Sequence, residues 1–302
     1  CLNQPTQFTD TSQIKSGNIN QRTWLLGDGT TINNQQQFTH TYPSPKVYQT
    51  KLKATSDKGC KDSTTNQITV RHLPEAGFTH DTVCFGFQTT FNDTSSVKQA
   101  QLQRWEWDFG DGDSAVKANP LHAYPGGGVY QARLVVASNQ GCLDTVHSDV
   151  EVFYKPVADF SATEECFPDT TAFSDSSTVT KSQIIQWHWQ FDDEDSSNTT
   201  NPLHQYGKHG IYEPILMVET NKGCRDTVQN DIIVHAKPNA NFNFRDTCQP
   251  NPITFRDSSS VDTGTVTQYD WQFGDSANSS LQHPIHRYQG YGRFDVQLTI
   301  TT

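Results

Sequence analysis

Apolar and polar residues alternate along this chain with a period of two, over short stretches broken by Gly, Pro, Asn and Asp. The pattern is clearest between residues 156 and 237. There, segments 158–162, 171–173, 185–191, 212–218 and 231–234 each place apolar side chains on one face and polar ones on the other, as half-buried strands do. No window sustains a helical period, and no run of eighteen or more apolar residues is present. The pattern therefore predicts an all-β protein without a membrane-spanning segment.

The same pattern returns at a fixed interval, which signals a repeat architecture. A Pro-x-Ala-x-Phe phrase starts at Pro74, Pro156 and Pro238, 82 residues apart. Trp107, Trp189 and Trp271 keep this interval, with Trp24 as their counterpart, and so do His40, His122, His204 and His286. Cysteines form two series, one at Cys60, Cys142 and Cys224 and the other at Cys1, Cys84, Cys166 and Cys248. Each member of the second series precedes a Phe-x-Asp phrase that ends at Asp10, Asp93, Asp175 or Asp257. The expected units are 1–73, 74–155, 156–237 and 238–302, the first without its opening strand and the last without its closing one. Cys1 holds the repeat position of Cys84 and Cys166, so it reads as a repeat cysteine and not as a lipid anchor.

Composition adds that the cores are thin, since hydrophobic residues make up 33% of the chain and Met appears once. The net charge of −11 is spread over the length, which disfavours nucleic acid and anionic lipid as partners.

Trp107-Asp-Phe-Gly-Asp-Gly112, followed by Asn119-Pro-Leu-His-Ala-Tyr124, a Gly and Tyr130, resembles the polycystic-kidney-disease (PKD) domain. The phrase returns from Trp24, Trp189 and Trp271, so the resemblance covers all four units. Two departures fall at the turn after this strand: Asp192 replaces the first Gly, and Leu26 stands where Phe is usual. The resemblance implies tandem immunoglobulin-like β-sandwiches arranged as an elongated string. Cysteine-bearing strings of this kind are similar to giant Bacteroidetes surface adhesins, including gliding-motility adhesins exported by the type IX system. This implies an extracellular, cell-surface fibre whose partners are its own neighbouring repeats, other fibre chains or surface polysaccharide.

Individual residues fit that reading. Trp24, Trp107, Trp189 and Trp271 are expected in the core, because the inward face of a short sandwich needs large apolar rings. A sugar-binding platform formed by Trp105 with Trp107, or Trp187 with Trp189, is the rival reading. The periodic histidines read as hydrogen-bonded structural groups, since no second ligand lies at zinc spacing. Asp108, Asp111 and Asp113, like Asp192, Asp193 and Asp195, crowd at a turn without the twelve-residue calcium loop, and no metal or other cofactor is expected. The Phe-x-Asp carboxylates are expected to accept local backbone N–H groups. No nucleophile elbow, phosphate loop or dinucleotide fingerprint occurs, so no catalytic residue is expected.

Asp-Thr-Val at Asp81, Asp144 and Asp226, with Asp62-Ser63-Thr64 as counterpart, resembles the Bacteroidetes O-glycosylation motif and makes Ser63, Thr82, Thr145 and Thr227 candidate acceptors. The alternative is a good strand start. On the strand order that the resemblance implies, the two cysteines of one unit lie at opposite poles, about 23 Å apart over seven residues of strand. Bonds between neighbours, Cys1–Cys142 and Cys84–Cys224, are then favoured over pairing within a unit such as Cys166–Cys224. Cys60, Cys166 and Cys248 are left to pair elsewhere. The expected role is a structural or adhesive stalk. Its rivals are accessory modules of a secreted chitinase or protease, and a carbohydrate-binding module.

Overall fold

The computed structural model describes residues 1–245 and 251–302; Cys248 lies outside the described residues. All regular structure among these residues is β-strand, and no helix is long and apolar enough to cross a membrane. Four hydrophobic cores follow one another along the chain, centred on Trp24, Trp107, Trp189 and Trp271. The chain divides into two compact units, 1–154 and 155–302, each holding two sandwiches.

In the first unit the second sandwich is the more complete. One sheet runs Ser114–Ala115, Leu102–Asp108, Gly128–Ser138, Leu143–Phe153 and Val83–Cys84 in spatial order, and the other runs Leu121–His122, Thr89–Asp93 and Phe78–His80. Inward residues of both sheets, among them Phe91, Trp107, Leu134 and Val150, meet in one core. The first sandwich repeats this with Thr31–Asn33, Ile19–Leu25, Val47–Ser56 and Lys61–Thr69 in one sheet and Thr6–Thr9 with Gln37–His40 in the other.

The long hairpin of Gly128–Ser138 and Leu143–Phe153 closes on a tight turn in which Ser138 N donates to Cys142 O and Cys142 N donates to Ser138 Oγ. Its second strand is longer than the alternation suggests. In the third sandwich the sequence points to 231–234 alone, whereas the structure has Arg225–Gln229 paired with Ile215–Thr220 before Ile232–His235. The first segment sits at a sheet edge, where Asp226 and Val228 are only half buried and the apolar signal is weak.

The turn after the Trp strand is set by close approach. A Cβ on Gly110 would lie 2.6 Å from Gln131 O, and one on Gly274 would lie 2.7 Å from Asp295 O, so both positions need glycine, at positive φ. In the second unit Asp192 occupies the same place at φ 68°. There the hairpin strand is interrupted at Glu213 and Pro214, between Gly210–Tyr212 and Ile215–Thr220, while its counterpart Gly128–Ser138 is continuous. Asp192 Oδ2 accepts the Glu213 N–H at 3.1 Å, and Pro214 has no N–H for the ladder.

Candidate functional site

Each sandwich carries the same polar cluster beside its core. The turn after the Trp strand carries an Asp whose carboxylate reaches the periodic His: Asp28 to His40 and Asp111 to His122 at 2.7 Å, Asp193 to His204 and Asp275 to His286 at 2.8 Å. The imidazole then stacks flat on Phe109, Phe191 or Phe273, with centroids 4.1–4.3 Å apart. Its edge meets Tyr42, Tyr124, Tyr206 or Tyr288. Burial, reinforced by the negative Asp28, pushes the Tyr42 hydroxyl up to about 12, and burial beside Asp111 and Asp193 raises Tyr124 and Tyr206 as well. These phenols stay protonated at any physiological pH; Tyr42 donates to Leu26 O and Tyr124 to Phe109 O, whereas the buried Tyr206 hydroxyl has no partner among the described residues.

The histidines do have second ligand-type groups nearby, contrary to the expectation from spacing. Donor atoms of Asp111, Asp113 and His122 lie within 4.8 Å of one another, as do those of Asp193, Asp195 and His204. The turn folds carboxylates eleven residues upstream under the His, a proximity that zinc-type spacing does not encode. Asp111 already uses one oxygen on His122 and the other on its neighbour's backbone, Asp113 N. The arrangement pins a turn.

The four tryptophans sit in the cores, Trp107 at 2% exposure and Trp189 and Trp271 at 0%, and each indole N–H donates to a backbone carbonyl ten or eleven residues on. Trp105 and Trp187 also pack against the cores, so neither pair forms a solvent-facing platform. Their indole N–H groups donate to Asp93 Oδ2 and Asp175 Oδ2 at 2.7 and 2.8 Å. Arg22 Nε makes the same contact to Asp10, and Tyr269 does so to Asp257. The other oxygen of these carboxylates takes the N–H of Ser12, Ser95, Ser177 or Ser259. The Phe-x-Asp motif points to the backbone partner. The side-chain partner, which changes from Arg to Trp to Tyr, has no sequence signature.

Cys1 and Cys142 form a disulfide with Cα atoms 5.7 Å apart, joining the start of the first sandwich to the hairpin turn of the second. Beside it Leu2 N donates to Arg71 O, and Arg71 Nη1 donates to Gln140 O in that turn. Cys84 and Cys224 are also disulfide-bonded, whereas Cys60 and Cys166 are free thiols. Cys166 pairs in register with His235, eleven residues beyond Cys224, a stretch that could span at most about 36 Å if fully extended. Ser63, Thr82, Thr145 and Thr227 are all exposed. Asp144 and Asp226, which precede two of them, accept the backbone N–H of Ala76 and Ala158 at 2.8 and 3.0 Å and so hold the opening segment of each sandwich.

A PKD-domain family model matches residues 1–72, 71–152, 154–234 and 235–302. The chain belongs to the PKD-domain family. Its PKD repeats are similar to part of collagenase ColA of Clostridium perfringens, 27% identical over 130 residues that make up 42% of this chain and 11% of that protein. A microbial collagenase of Vibrio alginolyticus is 33% identical over 66 residues, 22% of this chain and 8% of that protein. This PKD chain thus spans about a tenth of the length of the curated relatives it matches. Among solved structures, the PKD1 domain of Vibrio cholerae metalloprotease PrtV is 30% identical and aligns over 26% of this chain and 96% of its own, with a TM-score of 0.25.

Proposed function

We propose that these PKD repeats are a structural and adhesive stalk within a large extracellular surface protein, with units beginning at Pro74, Pro156 and Pro238. The observation that carries this reading is the Cys1–Cys142 disulfide, which ties one sandwich to the next; with Cys60 and Cys166 free, the two cysteines within each of the first three units are not bonded to one another. Such a staple restrains swivelling between neighbours, a property useful to a load-bearing element and of no use to a freely tethered domain. By the same register Cys84 bonds Cys224, and Cys60 and Cys166 accept partners from further repeats. A type IX-exported gliding adhesin is the specific form of this role, with Ser63, Thr82, Thr145 and Thr227 as glycan acceptors. Small-angle scattering of the non-reduced chain tests the stalk: a rod one sandwich wide is the expected particle, and a globular one would overturn it. Non-reducing peptide mapping tests the register, with a linked Cys84–Cys224 peptide as the expected product.

The collagenase matches favour a second reading, in which the repeats are accessory modules of a secreted hydrolase. It requires retention of the purified chain on collagen, where the stalk reading expects none.

A further inference from the structure

The turn after the Trp strand has two left-handed positions in every sandwich, and the third sandwich fills them unlike the others. Gly27 with Gly29, Gly110 with Gly112, and Gly274 with Ser276 stand there in the other three, all at positive φ. In the third they are Asp192 at 68° and Glu194 at 74°, so residues 192–195 are four carboxylates in succession. Glycine suits such backbone best, and two side chains of like charge are a costly replacement for it. Among the described residues only His204 forms an ion pair with any of the four, through Asp193.

These carboxylates stand open to solvent beside a cluster of metal-ligand type. Donor atoms of Asp193, Asp195 and His204 lie within 4.8 Å of one another. The carboxylates of Glu194 and Asp195 accept no hydrogen bond among the described residues. The Asp193 side chain is 21% exposed, whereas that of Asp111 in the second sandwich is 4% exposed. All three acids line an open cleft with Tyr212, and His188 and Lys208 are its basic residues.

A second, independent observation lies beneath the turn. In the other sandwiches the Tyr two residues after the periodic His donates its hydroxyl to the carbonyl just before the first left-handed residue, that of Leu26, Phe109 or Phe273. Tyr206 is 2% exposed, and its hydroxyl lacks any partner among the described residues. Its ring meets His204 edge-on at 4.5 Å and stacks at 3.9 Å on Tyr212 of the cleft. A buried hydroxyl in that position calls for a water or a ligand.

We propose that this turn binds one divalent cation of the zinc class, held by the carboxylates of Asp193 and Asp195 and by Nε2 of His204, with a metal-bound water as the partner of the Tyr206 hydroxyl. Mixed imidazole and carboxylate donors suit such an ion better than they suit Ca²⁺ or Mg²⁺, which take oxygen ligands. Asp193 and His204 now share a proton at 2.8 Å, and two ligands of a tetrahedral ion stand about 3.3 Å apart, so the ion replaces that proton with a small opening of the pair. Phe191, stacked on the imidazole at 4.1 Å, keeps the ring in place. Asp192 and Glu194 add negative charge around the ion. The second sandwich has the matching trio Asp111, Asp113 and His122 but two glycines and a bonded Tyr124, and so serves as an internal control.

Zinc titrated calorimetrically into the full chain, with its disulfides intact and Cys60 and Cys166 alkylated, tests this. The expected result is one-to-one saturation at about 10 μM free Zn²⁺ or less. Asp195→Asn should weaken binding about tenfold or more, while Asp113→Asn should leave it unchanged. Tyr206→Phe should weaken binding without lowering the urea midpoint of the zinc-free chain, a split that a purely structural hydroxyl would not show. Acidification below about pH 6 should release the ion, because His204 then takes a proton in its place. No saturation below about 1 mM Zn²⁺ would overturn the proposal. So would an affinity that Asp195→Asn leaves unchanged, or one that Asp113→Asn lowers as much.

Discussion

The carboxylate at the end of each Phe-x-Asp phrase divides its two oxygens between a backbone turn and a side-chain donor from the neighbouring strand. For Asp10 and Asp257, burial alone would raise the carboxyl, but hydrogen bonds from Ser12 and Arg22, and from Ser259, Gln282 and Tyr269, outweigh it and hold both below the usual carboxylate range. Asp175 is bonded in the same way to Ser177 and Trp187. Asp175→Ala leaves the half-buried Trp187 N–H without its acceptor and is expected to cost about 1–3 kcal/mol, read as a lowered urea midpoint of the third sandwich by tryptophan fluorescence. The acceptor was legible in the sequence because it belongs to a local turn. Its donors were not, because Arg22, Trp105, Trp187 and Tyr269 share only the ability to donate, and that property leaves no common letter.

Among the elements, the strands that face a core on one side were legible from alternation, while two kinds escaped it. Two-residue strands such as Leu121–His122 and Ser196–Ser197 are too short to show a period. The edge segment Arg225–Gln229 buries too little to show one. Yet that edge anchors the opening segment through Asp226. Burial raises the Asp226 carboxyl, and hydrogen bonds from Lys155 and from the Ala158 and Thr227 N–H groups lower it further than burial raises it. A carboxyl whose folded pKa is depressed contributes stability in full above its unfolded value of about 4, and that contribution is lost as pH falls through the folded value. Acidification from pH 5 to below 3 is therefore expected to speed hydrogen exchange at Ala158 beyond the change in intrinsic rate. Asp226→Asn should remove most of this pH dependence; an unchanged profile in the variant would assign the effect to another group.

For the whole chain, the four-fold repeat was the most legible feature, since a fixed interval of 82 residues survives even where single motifs vary. The Cys1–Cys142 bond closes a separation of 141 residues, for which loss of unfolded-chain entropy contributes at most about 5 kcal/mol. Replacing both cysteines by Ser is expected to lower the chemical-denaturation midpoint of the first two sandwiches while leaving their native-state amide protection pattern intact. A pattern altered throughout both cores would mean that the bond shapes the fold and does not merely restrain its unfolding.

The break at Glu213 and Pro214 has a mechanical meaning. A continuous hairpin ladder opposes extension of its sheet with more hydrogen bonds than an interrupted one. The second sandwich has such a ladder from Gly128 to Ala137, whereas in the third the pairing stops at Tyr212 and resumes at Ile215. The interrupted ladder makes the third sandwich a fuse: in an optical trap it should yield at lower force than the second, and the pair Asp192→Gly and Pro214→Ala should bring the two forces together.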